Sequence, residues 1–130
     1  MTLAELTDYA ECKILNTLRS EAWTAFNAYV ALFTTATTDA GGGTEVSGGG
    51  YARQPVGLSA ASGAGGSTSN AADITFPTAT ADWGTVTHVA IMDAATGGNM
   101  IMHSPLDASK TIAVGDTFKI NATELVCKID

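Results

Sequence analysis

His88 and His103 are the residues of this 130-residue chain whose type and spacing come nearest to a chemical site. His88 sits in a run rich in β-branched residues, Thr85 to Met92. A turn cluster follows, Asp93-Ala-Ala-Thr-Gly-Gly98, and then a returning stretch, Asn99 to His103. With residues 93–98 as the loop, Met92 pairs with Asn99, Ile91 with Met100, Val89 with Met102 and His88 with His103. Alternation then gathers Val89, Ile91, Met100 and Met102 on a core face and sets the two histidines opposite each other on a mixed one. A slip of one residue would exchange the faces. Two opposed imidazoles are half of a zinc site, which takes three or four protein ligands. Asp93 and Asp107 lie too far along the chain to complete the set, so a cross-strand pair with no metal and no cofactor is expected.

Other chemistry finds less support. Nucleophilic catalysis needs a Ser, Thr or Cys held beside a base, yet the serines fall in Gly-rich loops and no GxSxG elbow occurs. The glycine triplets of GGGTEVSGGG lack the GK[ST] ending of a phosphate-binding loop. Asp39, Glu45, Asp73, Asp82, Asp93, Asp107 and Asp116 mostly punctuate turns, where a short carboxylate bonds the local backbone. No catalytic residue is assigned, and the chain is not expected to be an enzyme.

Charge removes two further classes. The net charge is −7, with six basic residues spread singly. That leaves no cationic stripe for phosphates and no attraction to an anionic membrane. No apolar run approaches the ~20 residues of a membrane span. The opening MTLAELTDYAECK has neither a basic n-region nor an apolar h-region, so folding in a cytoplasm is expected. Cys12 and Cys127 have no metal-ligand spacing and should be reduced, small and buried.

The elements that would carry these residues can be placed in order. Thr2-Leu-Ala-Glu5 reads as a capping box, and Leu3, Leu6, Ala10, Ile14 and Leu18 follow at helical spacing. An amphipathic helix from Thr2 to Ser20 is expected, its stripe facing either the β-domain or a neighbouring subunit. Trp23 and Phe26 are apolar anchors in a connector. Ala28–Thr34 reads as a strand covered on both faces, Thr35–Gly50 as a long loop, and Tyr51–Ser59 as a strand that Pro55 confines to an edge or bulge. Ala60–Ala71 is a low-complexity corner loop. Asp73–Phe76 is a strand stopped by Pro77, and Trp83-Gly84 turns the chain into the central strand with Trp83 as a packed anchor. Ser109–Val114 and Thr117–Ile120 form a hairpin about Gly115-Asp116, and Glu124–Ile129 is the last strand. The sum is a mainly β protein, an antiparallel sandwich or barrel of about seven or eight short strands with one N-terminal helix. Its parts are the helix at 1–20 and a single β-domain at 28–130.

Three ordered strings, YVALFTTATTDAGGGTEVSGGGYARQ, ADITFPTATADWGTVTHVAIMDAATGGNMIMHSPL and KTIAVGDTFKI, resemble small virion proteins of tailed bacteriophages. Such proteins are variously described as tail fibre-like, minor structural or head-decoration proteins. The similarity runs from about Ala28 to Ile129 and extends to the preceding helix; segment 63–70 and the cysteines depart from it. The resemblance implies a non-enzymatic structural β-domain in a virion. The preferred expectation is a decoration or cement protein bound to the major capsid protein and to copies of itself, without nucleic acid or membrane. The alternative is a tail-tip or fibre-associated domain that contacts a host receptor or glycan, for which Trp23, Tyr51 and Trp83 would supply aromatics. Candidate contact residues are Leu3, Leu6, Ile14 and Leu18 on the helix stripe, and Thr44, Glu45, Val46, Tyr51 and Arg53 in the glycine-flanked motif.

Overall fold

The structure, a computed structural model, describes residues 1–63 and 66–129. Residues 64–65 of the expected corner loop and the last residue of the expected β-domain lie outside the described residues. The chain runs β1 (Thr2–Leu3), β2 (Glu5–Leu6), α1 (Asp8–Thr17), β3 (Tyr29–Phe33), β4 (Gln54–Pro55), β5 (Ser67–Ser69), β6 (Ile74–Thr75), β7 (Gly84–Met92), β8 (Met100–Ile112), β9 (Lys119–Ile120) and β10 (Val126–Lys128). It is mainly β with one short helix, as its composition and turn spacing imply.

A five-stranded sheet in the order β2-β8-β7-β3-β4 forms one layer. A three-stranded sheet, β1-β10-β5, and the pair β6-β9 close the other side. Between them lies the main core, which includes Leu3, Val30, Leu32, Ile74, Phe76, Val89, Ile91, Ile120 and Leu125. A second, smaller cluster of Ala31, Phe33, Ala90, Met92 and Met100 covers the opposite face of the large sheet. β3 is therefore apolar on both faces, as expected, and Pro55 lies on the short edge strand β4.

The N-terminus departs from the expected helix. Thr2–Leu3 pairs in parallel with Val126–Cys127, and Glu5–Leu6 pairs antiparallel with Met102–His103. Helix α1 starts only at Asp8. Its N-cap is Thr7, whose side-chain oxygen accepts from the Ala10 amide at 3.3 Å, and not Thr2. The Thr7 hydroxyl also donates to the Met100 carbonyl at 2.6 Å, so the cap fastens the helix to β8. At the other end Ser20 adopts φ +66° and the Glu21 amide returns to the Asn16 carbonyl, a left-handed stop that ends the helix early. The five apolar residues thus divide between structures. Leu3 and Ala10 are fully buried, Leu6 packs on the core, Ile14 is half-buried, and Leu18 is 83% exposed.

The central hairpin forms in a different register. Asp93 Oδ1 accepts from the Asn99 amide at 2.7 Å, and Gly97 and Gly98 take positive φ. The loop therefore spans 93–99 and Met92 pairs with Met100. A bulge then inserts Ile101, so that Ile91 opposes Met102, Ala90 opposes His103 and His88 opposes Pro105. Met100 joins Met92 in the second cluster while Ile101 takes its place in the main core. An added residue re-phases the alternation beyond it. β8 also continues through Pro105 to Ile112, merging two expected strands. Past the turn at Gly115, Lys119–Ile120 pairs with Ile74–Thr75 and not with the strand before it. Within the expected corner loop, Ser67–Ser69 pairs with β10. Two-residue strands that only tertiary partners define carry the count beyond the expected seven or eight.

Candidate functional site

The motif TEVSGGGYAR builds an internal brace. Gly48, Gly49 and Gly50 all take positive φ, +73°, +59° and +78°, a reversal that residues with a Cβ rarely adopt. At Gly49 a Cβ would also stand 2.9 Å from the Trp83 ring. The reversal brings Tyr51 and Arg53 back over Glu45. Arg53 Nε and Nη2 donate to the two Glu45 oxygens, each at 2.8 Å, and the Tyr51 hydroxyl donates to Oε2 at 2.6 Å. Arg53 Nη1 donates to the carbonyls of Ala94 and Gly97, both at 2.8 Å, tying the brace to the 93–99 loop. The Tyr51 oxygen in turn accepts from the Leu32 amide at 3.0 Å.

Electrostatics agree with this geometry. Burial works to raise the Glu45 carboxyl, but hydrogen bonds from Arg53 and Tyr51 and the Arg53 charge bring it below its ordinary value. Burial and the bond to Glu45 push the Tyr51 phenol far up, so it stays a donor. Tyr51 also stacks on Phe76 and meets Trp83 edge-on, with ring centroids 5.4 Å apart in the second pair. Trp83 is 5% exposed and its Nε1 donates to the Gly49 carbonyl at 2.9 Å. It is the packed anchor expected at the entry to β7, and Gly84 follows it at φ +87°.

Beside the brace a cleft of about 570 Å³ opens between the N-terminus of α1, the loop after β3 and the 93–99 loop. Its volume lies within the ~300–1,000 Å³ of ligand pockets. Phe33, Met92 and Met100 line its apolar part, and Asp8, Asp39 and Asn99 its polar part. Behind Asp39 sits His103, 3% exposed. Its Nδ1 lies 2.8 Å from Thr37 Oγ1, its Nε2 2.9 Å from Asp39 Oδ1, and Nδ1 3.7 Å from Glu5 Oε2. Hydroxyl, imidazole and carboxylate in series suggest a nucleophile, base and orienting acid. Thr37, however, is only 8% exposed, so its hydroxyl presents no open face to a substrate.

The nine candidate contact residues fall into different environments. Leu3 and Val46 are in the core; Glu45, Tyr51 and Arg53 form the brace; Thr44 is exposed, its carbonyl accepting from the Thr34 amide. Leu6 and Ile14 are half-buried, and Leu18 is open to solvent. Of the expected aromatics, Trp83 and Tyr51 are turned inward, and Trp23 packs between Tyr9 and Phe26. Of the acids expected to mark turns, Asp93 and Asp116 bond the local backbone, accepting from the amides of Asn99 and Ala113, whereas Asp73 and Asp82 accept from the distant amides of Ala122 and Val114. The histidine pair does not form, since the longer loop and the bulge together move His103 opposite Ala90. Its actual neighbours carry no signal of their own, because Glu5, Asp39 and His103 meet only through tertiary structure. Cys127 is buried, which pushes its thiol up to about 11, whereas Cys12 is exposed, contrary to expectation. No helix among the described residues is long and apolar enough to cross a membrane.

These features define a β-rich protein with a braced loop system and an acidic cleft. The family model described as Podophage GP4 fiber I protein gp80 matches residues 5–128, and the chain belongs to that family of phage structural proteins. No curated protein matches it.

Proposed function

We propose that the chain is a non-enzymatic, fibre-associated structural domain of the virion. The observation that carries this is the extent of the match to a family described as a podophage fibre protein, which runs from β2 through β10. The saturated brace supports it: Glu45, Tyr51 and Arg53 spend their polar atoms on one another and on the backbone. That chemistry fixes loop shape. The domain would bind copies of itself or a neighbouring virion protein through exposed surface that includes Leu15 and Leu18, 62% and 83% exposed. Each contact would bury about 800 Å² per partner.

A second reading, decoration of the head through the major capsid protein, is favoured by the net charge of −7. An acidic protein suits the outer surface better than a position facing the genome. Copy number per particle and immunogold labelling separate the two. Tens of copies with label on the tail or its fibres is the expected result. Hundreds of copies with label over the head would replace the fibre reading with decoration. An enzyme-like role would need turnover that fails when Thr37, His103 or Asp39 is replaced.

A further inference from the structure

We propose that Glu5, Asp39 and His103 bind one divalent transition ion of the zinc class. One ligand atom from each, a ring nitrogen and two carboxylate oxygens, lies within 4.8 Å of the others. Nitrogen and carboxylate oxygen at about 2.0–2.2 Å are what zinc takes, and three protein ligands plus water complete a tetrahedron. Calcium and magnesium prefer all-oxygen sets.

The imidazole is prepared for this. His103 is buried and its ring is fixed from behind by Thr37, itself buried, 2.8 Å from Nδ1. A hydrogen bond from the far ring nitrogen is the usual way a ligating histidine is oriented and its tautomer chosen. Without an ion, a proton between Nε2 and Asp39 Oδ1 bridges their 2.9 Å separation; with the ring proton on Nδ1 and donated to Thr37, Nε2 would offer its lone pair to an ion in that proton's place. Two acceptors at that distance need a positive centre between them, a proton or a metal. An ion bound to both would open the gap to about 3.3 Å by tetrahedral geometry, a small rotation of one exposed side chain. Glu5 and Asp39 are 64% and 62% exposed, so both can turn onto the ion; Asp39 already faces Nε2, while Glu5 lies 3.7 Å from Nδ1 and swings toward Nε2 to ligate.

The three ligands come from β2, the loop after β3, and β8. The Asp39 carbonyl also accepts from the Asp8 amide at the start of α1. An ion here would clip the N-terminal segment and the helix to the large sheet beside the cleft.

Titration of the metal-free protein with Zn²⁺, followed by calorimetry, and with Co²⁺, followed by its visible absorption, tests this. One equivalent should bind, with a cobalt band of four- or five-coordinate character and a rise in melting temperature that Ca²⁺ and Mg²⁺ do not reproduce. Asp39→Asn and Glu5→Gln change exposed groups, and circular dichroism checks that they fold. Each should weaken Zn²⁺ binding at least about tenfold, the loss seen even for outer contacts of metal sites. Cys12→Ser should leave it unchanged. Absence of saturable binding, binding indifferent to both carboxylate variants, or binding lost with Cys12→Ser would each overturn the site.

Discussion

Two polar clusters stand either side of one cleft, and they are built in opposite senses. In the brace, a largely buried Arg53, its side chain 8% exposed, closes on a Glu45 side chain 24% exposed, and both carboxylate oxygens are taken by fixed donors. In the other, one buried imidazole faces two carboxylates that are each more than half exposed. The first resembles a structural rivet: removing one partner strands the other out of water. The second is held at its centre and open at its rim, so its carboxylates remain available to something else. The two clusters therefore have unequal consequences, decided by which member is buried and whether its partners are fixed.

The largest expected effect falls on the shared wall of the brace. Trp83 is 5% exposed, contacts Tyr51 edge-on and donates to Gly49. Trp83→Ala should cost about 3–5 kcal/mol, measured by denaturant unfolding. Unchanged stability would mean that the glycine reversal holds itself and that Trp83 is not the anchor.

Next come two leucines that one helical stripe would have treated alike. Leu3 is fully buried in β1 and Leu18 is 83% exposed just past α1. Leu3→Ala should cost about 2–5 kcal/mol, and Leu18→Ala should stay within about 0.5 kcal/mol. For the same reason, a chain lacking residues 1–20 should not fold: it loses β1, β2, Leu3 and the Thr7 cap. A folded, cooperative fragment by circular dichroism and thermal melting would return these residues to the role of a detachable contact helix.

The brace itself follows. Glu45→Gln keeps the shape but removes the charge opposite Arg53, and should cost about 2–3 kcal/mol, somewhat below a fully buried pair because water reaches part of Glu45. The pH dependence has a definite sign. The folded value of Glu45 is depressed, so its contribution is complete above the ordinary carboxylate value and is lost as pH falls through the depressed one. Wild type should therefore lose stability on the acid side, and Glu45→Gln should lose less of it over the same range. Parallel acid limbs in the two proteins would count against the brace.

How much of this could be read beforehand depends on how local the cause is. Trp83-Gly84, the turns at Asp93 and Asp116 and the edge position of Pro55 were legible, whereas Asp73 and Asp82 bond amides distant in the chain. The hairpin was legible as two strands and a turn, but its register depended on a loop one residue longer, closed by the Asp93 side chain, and on the bulge at Ile101. The N-terminal stripe misled because Leu3, Leu6 and Ala10 satisfy helical spacing and are all needed by the core. Sheet edges on β10 and β8 claimed residues 2–6 as strands, a tertiary preference that propensity does not encode. Of the polar residues, Glu45, Tyr51 and Arg53 were singled out as contact residues, and the structure bonds them to one another and to the backbone. Thr37, Asp39 and Glu5 gave no signal beside His103, being separated from it by 66, 64 and 98 positions in the chain.

The smallest expected effect gives the sharpest comparison. Asp39→Asn removes a charge from the open cluster but keeps an oxygen that can accept from His103 Nε2. The ring retains Thr37 at 2.8 Å, and Asp39 is 62% exposed, so water already screens the pair. Exposed ion pairs contribute about 0–1 kcal/mol, and the metal-free variant should melt within that margin of wild type. A loss above about 2 kcal/mol would show that Asp39 is fixed as tightly as Glu45 and that the two clusters are one kind of device. If the cost is small, the exposed carboxylates beside a buried and oriented imidazole are not explained by folding stability. Their place around His103 would then have to be explained by what they bind.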